Sequence, residues 1–336
     1  MQKKLSIIKY SNTQEFKIRK YIKGDELSIL KLDRFVETHK WNRRNLKNWF
    51  WKYKGKNSSG KSKVYVCEYK KKIIATFATI PLEYIFNKKK VTFSNSIAMI
   101  VHPKYQDKGI IKYLGDKLLS DTQSSSKLVF GYPNERSHRL HKIFFDYQDC
   151  FKQKLFELNV KRNQLKNDSN FISLKKINKF SSVHSKIFKK NIAKFKIQKI
   201  RDSSYLNWRY IDRPDIEYLC HNIYLKNKFL GYVIFKLYQK EKNLYGHIID
   251  FYLDTKSQNI YDETIMASTY FLTKLKVDYV SCWCNGDLLF AKSLKKINFK
   301  VVSSRPFICK IFDKKYKKKI TAKDWFFTMG DSLEVY

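Results

Sequence analysis

The stretch that most constrains this chain is Ser94–Asn134, S-N-S-I-A-M-I-V-H-P-K-Y-Q-D-K-G-I-I-K-Y-L-G-D-K-L-L-S-D-T-Q-S-S-S-K-L-V-F-G-Y-P-N. An apolar run, Ile97–Val101, enters a tight loop, His102–Lys108. Gly109 then opens a helical pattern over Ile110–Ser120, and a second apolar run follows at Leu128–Tyr132. The order predicted is strand, loop, helix, strand. A strand that feeds a glycine-bearing loop at a helix N-terminus aims several backbone N–H groups at one spot. The helix dipole adds partial positive charge there, so the spot suits a phosphate or pyrophosphate. A side chain at Gly109 would hold a ligand away from the backbone. Pro103 stops the strand ladder and sets the chain direction into the loop.

Length and composition bound the remainder. A chain of 336 residues predicts two domains of about 150 residues. Its 43% hydrophobic and 16% aromatic content supplies packed cores and excludes a disordered chain. No run approaches the roughly 18 apolar residues of a membrane span. The start, M-Q-K-K-L-S-I-I-K-Y, lacks a long apolar block and a cleavage site, which predicts a cytoplasmic protein without a signal peptide. The net charge of +39 admits an anionic polymer as partner. However, 58 of the 69 basic residues are Lys and 11 are Arg, and they are scattered over the whole length. That mixture, with abundant Asn, Ile, Tyr and Phe, is what an AT-rich, bacterial-like genome encodes. Nucleic-acid readers lean on Arg, so nucleic acid is possible but not the favoured partner, and the charge serves to attract anionic substrates. The six cysteines form no C-x-x-C pair, which predicts free thiols in a reducing compartment. No metal site is expected.

In chain order, Tyr21–His39 reads as a helix with Asp25 as N-cap, and Asn45–Tyr53 as a second, aromatic-rich helix before the polar run Lys56–Lys63. Val64–Tyr69 and Ile73–Ile80 read as a hairpin, and Tyr84–Phe86 with Val91–Phe93 as another. After Asn134 a helix is expected, then a closing strand within Gln148–Arg162 and a polar surface connection over Asn163–Lys179. Landmarks then recur. Trp51-Lys52-Tyr53 is echoed 157 residues later by Trp208-Arg209-Tyr210, and V-F-G-Y-P-N ending at Asn134 is echoed 151 residues later by V-S-C-W-C-N ending at Asn285. Each landmark has similar predicted elements around it, with strand hairpins expected at Tyr218–Leu225 and Phe229–Tyr238 and a helix within Gly286–Phe299. The expectation is a duplicated fold: residues 1–161, a connection 162–180, and residues 181–336. Each half is predicted to be α/β (α+β), with a mixed, mostly antiparallel sheet flanked by helices.

The run V-H-P-K-Y-Q-D-K-G-I-I, with its helix and a strand leading to Asn134, resembles the acyl-CoA-binding core of the GNAT N-acyltransferase superfamily, and the order of elements in the first half is similar too. The resemblance implies a tandem GNAT-like protein whose first half binds acetyl-CoA or another acyl-CoA. Gln106, Asp107, Lys108 and Gly109 would form the pyrophosphate loop, with Ile110 following and Ile111 standing where the family has a second small residue. Backbone N–H groups near Ile100 and Val101 would polarise the thioester carbonyl. The pantetheine arm would pair with the strand edge where the parallel strands splay. Asn134 and Ser137 fit the family's next motif, but His141 stands where the family has a tyrosine acid, and is the candidate proton donor. No carboxylate opens the motif strand, where Asn95 and Ser96 stand, leaving Glu83 or Glu68 as candidate bases. The reaction implied is direct acyl transfer to a primary amine of a small metabolite or sugar. In the second half, F-Y-L-D-T-K-S-Q-N-I-Y-D-E-T-I-M-A has no glycine, and Asp254, Asp262 and Glu263 bring negative charge to the loop, so that copy is expected not to bind acyl-CoA. Two other readings fit the resemblance: a non-catalytic scaffold that binds nucleic acid or an anionic polymer, and an aminoacyl- or peptidyl-transferring tandem GNAT with an RNA donor.

Overall fold

Alternating apolar positions, broken by turns at Lys70-Lys71 and Asn87-Lys88 in the left-handed region, build long hairpins in the first third of the chain. The computed structural model describes residues 6–10, 14–36, 45–55, 60–161, 171–316 and 320–333. The elements are β1 (Ser6–Tyr10), β2 (Gln14–Lys20), α1 (Asp25–Val36), α2 (Leu46–Lys54), β3 (Lys63–Tyr69), β4 (Lys72–Phe86), β5 (Lys89–Val101), α3 (Ile110–Gln123), β6 (Leu128–Gly131), α4 (Glu135–Phe145) and β7 (Gln148–Asn159). They continue as β8 (Ile172–Lys176), α5 (Ser182–Lys190), β9 (Ile197–Lys199), α6 (Ser203–Leu206), β10 (Leu219–Leu225), β11 (Lys228–Lys240), β12 (Asn243–Leu253), α7 (Gln258–Lys274), β13 (Tyr279–Trp283), α8 (Leu288–Lys296) and β14 (Lys300–Ile311). A π-helical turn at Asn207–Ile211 extends α6.

α1 starts at Asp25, which is its first helical residue and not the N-cap expected: its carboxylate accepts from the preceding Ile22 N–H at 2.9 Å and from Arg19 at 2.6 and 2.9 Å. The end of the helix predicted over Tyr21–His39 lies outside the described residues, as does much of the run Lys56–Lys63. The strands predicted at Ile73–Ile80 and Tyr84–Phe86 merge into one. Pro81 sits inside β4 without ending it, so β4 and β5 are two long neighbouring strands.

The chain divides into two units, and the division is not the one expected. The first comprises residues 1–83, 91–149 and 307–319; the second comprises 84–90, 150–306 and 320–336. The strand order in the first is β1-β2-β3-β4-β5-β6, closed by the C-terminal part of β14, where Ile308 pairs with Gly131 and Ile311 with Leu128. The second runs β7-β13-β12-β11-β10-β8, in which Leu155–Asn159 of β7 pair antiparallel with Tyr279–Trp283. The strand expected within Gln148–Arg162 therefore forms, but in the second unit, and boundaries at 161 and 181 do not describe the fold. Within the expected connection, Ile172–Lys176 is a strand on β10, while residues 162–170 lie outside the description. Each unit has one parallel pair joined by a helix, β5-α3-β6 and β12-α7-β13, with antiparallel neighbours.

In the first unit α3 lays Ile110, Ile111, Leu114 and Leu118 onto Cys67, Phe77, Val129 and Ile308. Burial of each such aliphatic side chain stabilises by about 1.5–3 kcal/mol. Gly115 lets α4 approach: a Cβ there would lie 2.3 Å from the Phe145 ring. That contact packs the C-terminal end of α4 against the middle of α3, while the starts of both helices border one cavity.

Candidate active site

The site follows from where the parallel strands part. β5 and β6 pair only from Phe93↔Leu128 to Asn95↔Phe130. Beyond Gly131 the chain turns through Pro133 into α4, while β5 runs on to Val101. A cavity of about 720 Å³ occupies the gap, walled by Met99, Ile100 and Val101 of β5, Gln106, Asp107 and Gly109 of the following loop, Ile111 of α3, and Asn134, Arg136, Ser137 and Leu140 at the start of α4. Ala98 is held at φ +53° within β5, a conformation uncommon for a residue with a side chain. The His102 N–H donates to Ile74 O of β4 at 2.8 Å, whereas Val101 O, on the parted side, accepts from Gln106 Nε2 at 3.2 Å. By strand alternation the N–H groups of Val101 and Met99 face the gap and that of Ile100 faces β4. Of the two backbone N–H groups expected to serve as donors, that of Val101 faces the gap and that of Ile100 does not.

The loop has the form its sequence predicted. Pro103–Tyr105 make a 3-10 turn, and Gly109 caps α3 with φ +65°, a conformation that costs a side-chain-bearing residue about 1–2 kcal/mol. The first N–H groups of α3, those of Ile110 and Ile111 among them, have no carbonyl within the helix to bond. The Ile110 side chain is buried in the core and only its backbone serves the loop. Asn134 caps α4, its Oδ1 accepting from Ser137 N at 2.9 Å, so a second helix N-terminus borders the same cavity. Both ends favour an anion. Lys108 and the exposed Asp107 flank the turn.

His141 is not placed to be the proton donor that the motif suggested. It is 5% exposed, packs edge-on against Phe77 and Tyr147, and is not part of the cavity wall. Its Nδ1 lies 2.7 Å from Ser137 O, which can only accept, so Nδ1 carries the hydrogen. Its Nε2 is then the acceptor, 3.4 Å from Ser96 Oγ, just past the last strand pair. Burial pushes the imidazole down to about 4, so it is neutral at pH 7. Nor does the structure bring the candidate bases to the cavity. Glu83 is half-buried on β4 away from its walls, and Glu68 accepts from Arg19 at 2.9 and 3.0 Å. Arg136 was missed. Its guanidinium donates to Gln106 Oε1 at 2.6 Å, and the available signal was its type, since only 11 of 69 basic residues are Arg.

The corresponding gap of the second unit is filled by the chain itself. β12 and β13 pair in parallel up to Ile248↔Cys282; past that point Phe327 bridges to Asn285, and Asn285 Nδ2 donates to Ala322 O and Trp325 O at 2.7 and 2.9 Å. Asn285 therefore does not cap the next helix as Asn134 does; Asp287 caps α8, accepting from Leu289 and Phe290 N–H. The C-terminal segment is clamped by buried charge. Arg201 donates to Asp331 at 2.8 Å and to Asp250 at 3.2 Å, Lys199 lies 3.3 Å from Asp331, and Arg209 donates to Gly330 O and Ser332 O at 3.1 Å. Burial lowers Lys199 to about 8 against the opposing pull of Asp331. Asp254 and Asp262, read as repelling phosphate, are instead paired with Lys190 and Lys296, each at 2.7 Å.

A mixed sheet with a parallel pair parting over a helix N-terminus, and a cavity in the gap, defines an acyltransferase fold. Residues 17–139 match the family model of the acetyltransferase (GNAT) domain, so this part of the chain is a GNAT domain. No curated protein sequence matches it. Solved structures share the fold. A GCN5-related N-acetyltransferase from Anabaena variabilis ATCC 29413 is 14% identical over 91% of this chain and 75% of that one, with a TM-score of 0.67. A tandem GNAT protein from the clavulanic acid biosynthesis pathway is 8% identical over 89% and 99%, with a TM-score of 0.60. The Saccharomyces cerevisiae N-myristoyltransferase with bound myristoyl-CoA is 12% identical over 90% and 84%, also with a TM-score of 0.60. At these identities the likeness is one of fold. Among the described residues, no helix is long and apolar enough to cross a membrane.

Proposed function

We propose that the first unit binds an acyl-CoA, with acetyl-CoA the first choice, and passes the acyl group directly to a primary amine of a small metabolite or sugar. The observation that carries this reading is the cavity between the parted strands, bordered by the Gly109 loop and by the open edge of β5. The donor set fits the ligand: backbone amides at the start of α3 for a pyrophosphate, and an unpaired strand edge for an extended amide-bearing arm. When bound, the thioester supplies an activated acyl group and a thiolate that leaves.

The N–H groups of Val101 and Met99 serve as donors to the carbonyl oxygen as it gains negative charge. Neutral His141 orients the Ser96 hydroxyl through Nε2 and holds no proton to give at neutral pH. Met99, Leu140 and Ile111 keep the wall apolar and exclude water from the reacting centre. The second unit holds its own C-terminal segment where the first holds the cavity, which supports one acyl-CoA site per chain. The six free cysteines suit a reducing compartment such as the cytoplasm.

Calorimetric titration with acetyl-CoA, followed by a screen of amine acceptors for thiol release, tests the reading. One site per chain is expected, abolished by Gly109→Glu, which strains the αL turn and places a carboxylate at the anion site. Binding by Gly109→Glu equal to the parent would refute the loop assignment.

A further inference from the structure

The loop's first position is neutral here, and its side chain is already committed at both ends. Gln106 Nε2 donates to Val101 O and Gln106 Oε1 accepts from Arg136 Nη2, so the amide ties the end of β5 to the start of α4 across the cavity. Gln106 has little capacity left for a phosphate. Arg136 has a great deal. A guanidinium carries five N–H donors, and among the described residues that single bond to Gln106 is the only hydrogen bond or ion pair Arg136 makes. Its place in the helix is also unexplained by helix stability. It stands in the first turn of α4, where the dipole disfavours a cation, yet it lines the cavity beside Gly109.

We propose that Arg136 supplies the cationic contact to the pyrophosphate of the acyl-CoA, with Gln106 as the bracket that aims it. The inference rests on the acyl-CoA reading above and adds the residue that provides its charge. A guanidinium offers two parallel N–H groups to a phosphate oxyanion, the geometry for which Arg is suited and Lys is not. The guanidinium stands on the neighbouring helix, and its hydrogen bond to Gln106 holds it against the loop.

The test is calorimetry with CoA and with 3′-dephospho-CoA on the full chain. Arg136→Ala is expected to weaken both by roughly 10- to 100-fold, the range for loss of charge-assisted hydrogen bonds, because both ligands keep the pyrophosphate. Arg136→Lys should recover only part of the affinity. Adding Gln106→Arg to Arg136→Ala should recover most of it, since it returns a guanidinium to the loop without rebuilding the bracket to α4. An unchanged affinity in Arg136→Ala would overturn the inference while leaving the acyl-CoA reading standing. So would a loss confined to CoA, which would move the contact to the 3′-phosphate. Failure of the double variant to recover would make Arg136 a brace of the loop and would overturn the assignment as well. A parent protein that binds neither ligand would sink the acyl-CoA reading itself.

Discussion

Replacing His141 by Gln converts its burial into a measurable pH dependence. In the unfolded chain the imidazole titrates near 6.5, and in the folded chain near 4. The folded pKa is depressed, so below pH 6.5 the unfolded chain binds a proton that the folded chain refuses. Stability contributed by the neutral, hydrogen-bonded ring is present above pH 6.5 and is lost as pH falls toward 4. Between pH 7.5 and 5.0 these two values give a loss of about 2 kcal/mol from this one residue. Burial also lowers His184, His221 and His247, but both proteins retain those residues. The fixed cost of losing the Ser137 and Ser96 contacts is likewise the same at both pH values. The quantity to measure is therefore the difference in urea-unfolding free energy between parent and His141→Gln at pH 7.5 and again at pH 5.0. The variant should gain about 2 kcal/mol on the parent over that interval. An interval-independent difference would show that the imidazole protonates freely in the folded state, and the argument against its acid role would fall with it.

Three further outcomes follow from the packing. Gly115→Ala would ordinarily stabilise a helix interior by about 1 kcal/mol; here the added Cβ meets the Phe145 ring at 2.3 Å, so a net destabilisation of about 1–2 kcal/mol is expected, and a raised melting temperature would contradict the α3–α4 apposition. Asp331→Ala leaves the buried Arg201 and Lys199 without their shared carboxylate and should cost about 3–5 kcal/mol. It should also expose the C-terminal segment to limited proteolysis, Asp331→Asn being milder; an undisturbed cleavage pattern would count against the clamp. Ser96→Ala, once an acceptor is in hand, should lower kcat more than it raises KM for the acyl-CoA, and the reverse pattern would place Ser96 in ground-state binding.

The loop proposed to hold the pyrophosphate was legible in the residues because every constraint on its form is local. Gly109 needs φ +65° where it stands, Asn134 caps its own helix three residues before Ser137, and Pro103 ends β5 two residues after Val101. Such features depend on chain neighbours, and a linear pattern records them. The same holds for the doubling of the architecture, since each copy carries its own strand–helix–strand crossover.

Tertiary structure decided the rest. Gln148–Asn159 and Lys300–Ile311 are both strands, and only the first was read from the sequence. Which parallel pair each one closes depends on partners more than a hundred residues away, so Ile308–Ile311 pair with β6 and Leu155–Asn159 with β13. The charge state of His141 depends on Phe77, Tyr147 and the exclusion of water, none of which a spacing of seven residues from Asn134 can encode. Arg136 and Gln106 are thirty residues apart and meet only once α4 and the loop before α3 border the same cavity. Nor could the acidic residues of the second copy show what makes its gap unavailable: Asp254 and Asp262 are neutralised by lysines, and a segment from the far C-terminus fills the space between its strands. Backbone conformation is set by neighbours in sequence, whereas burial, charge state and strand partnership are set by neighbours in space, and those exist only once the chain has folded.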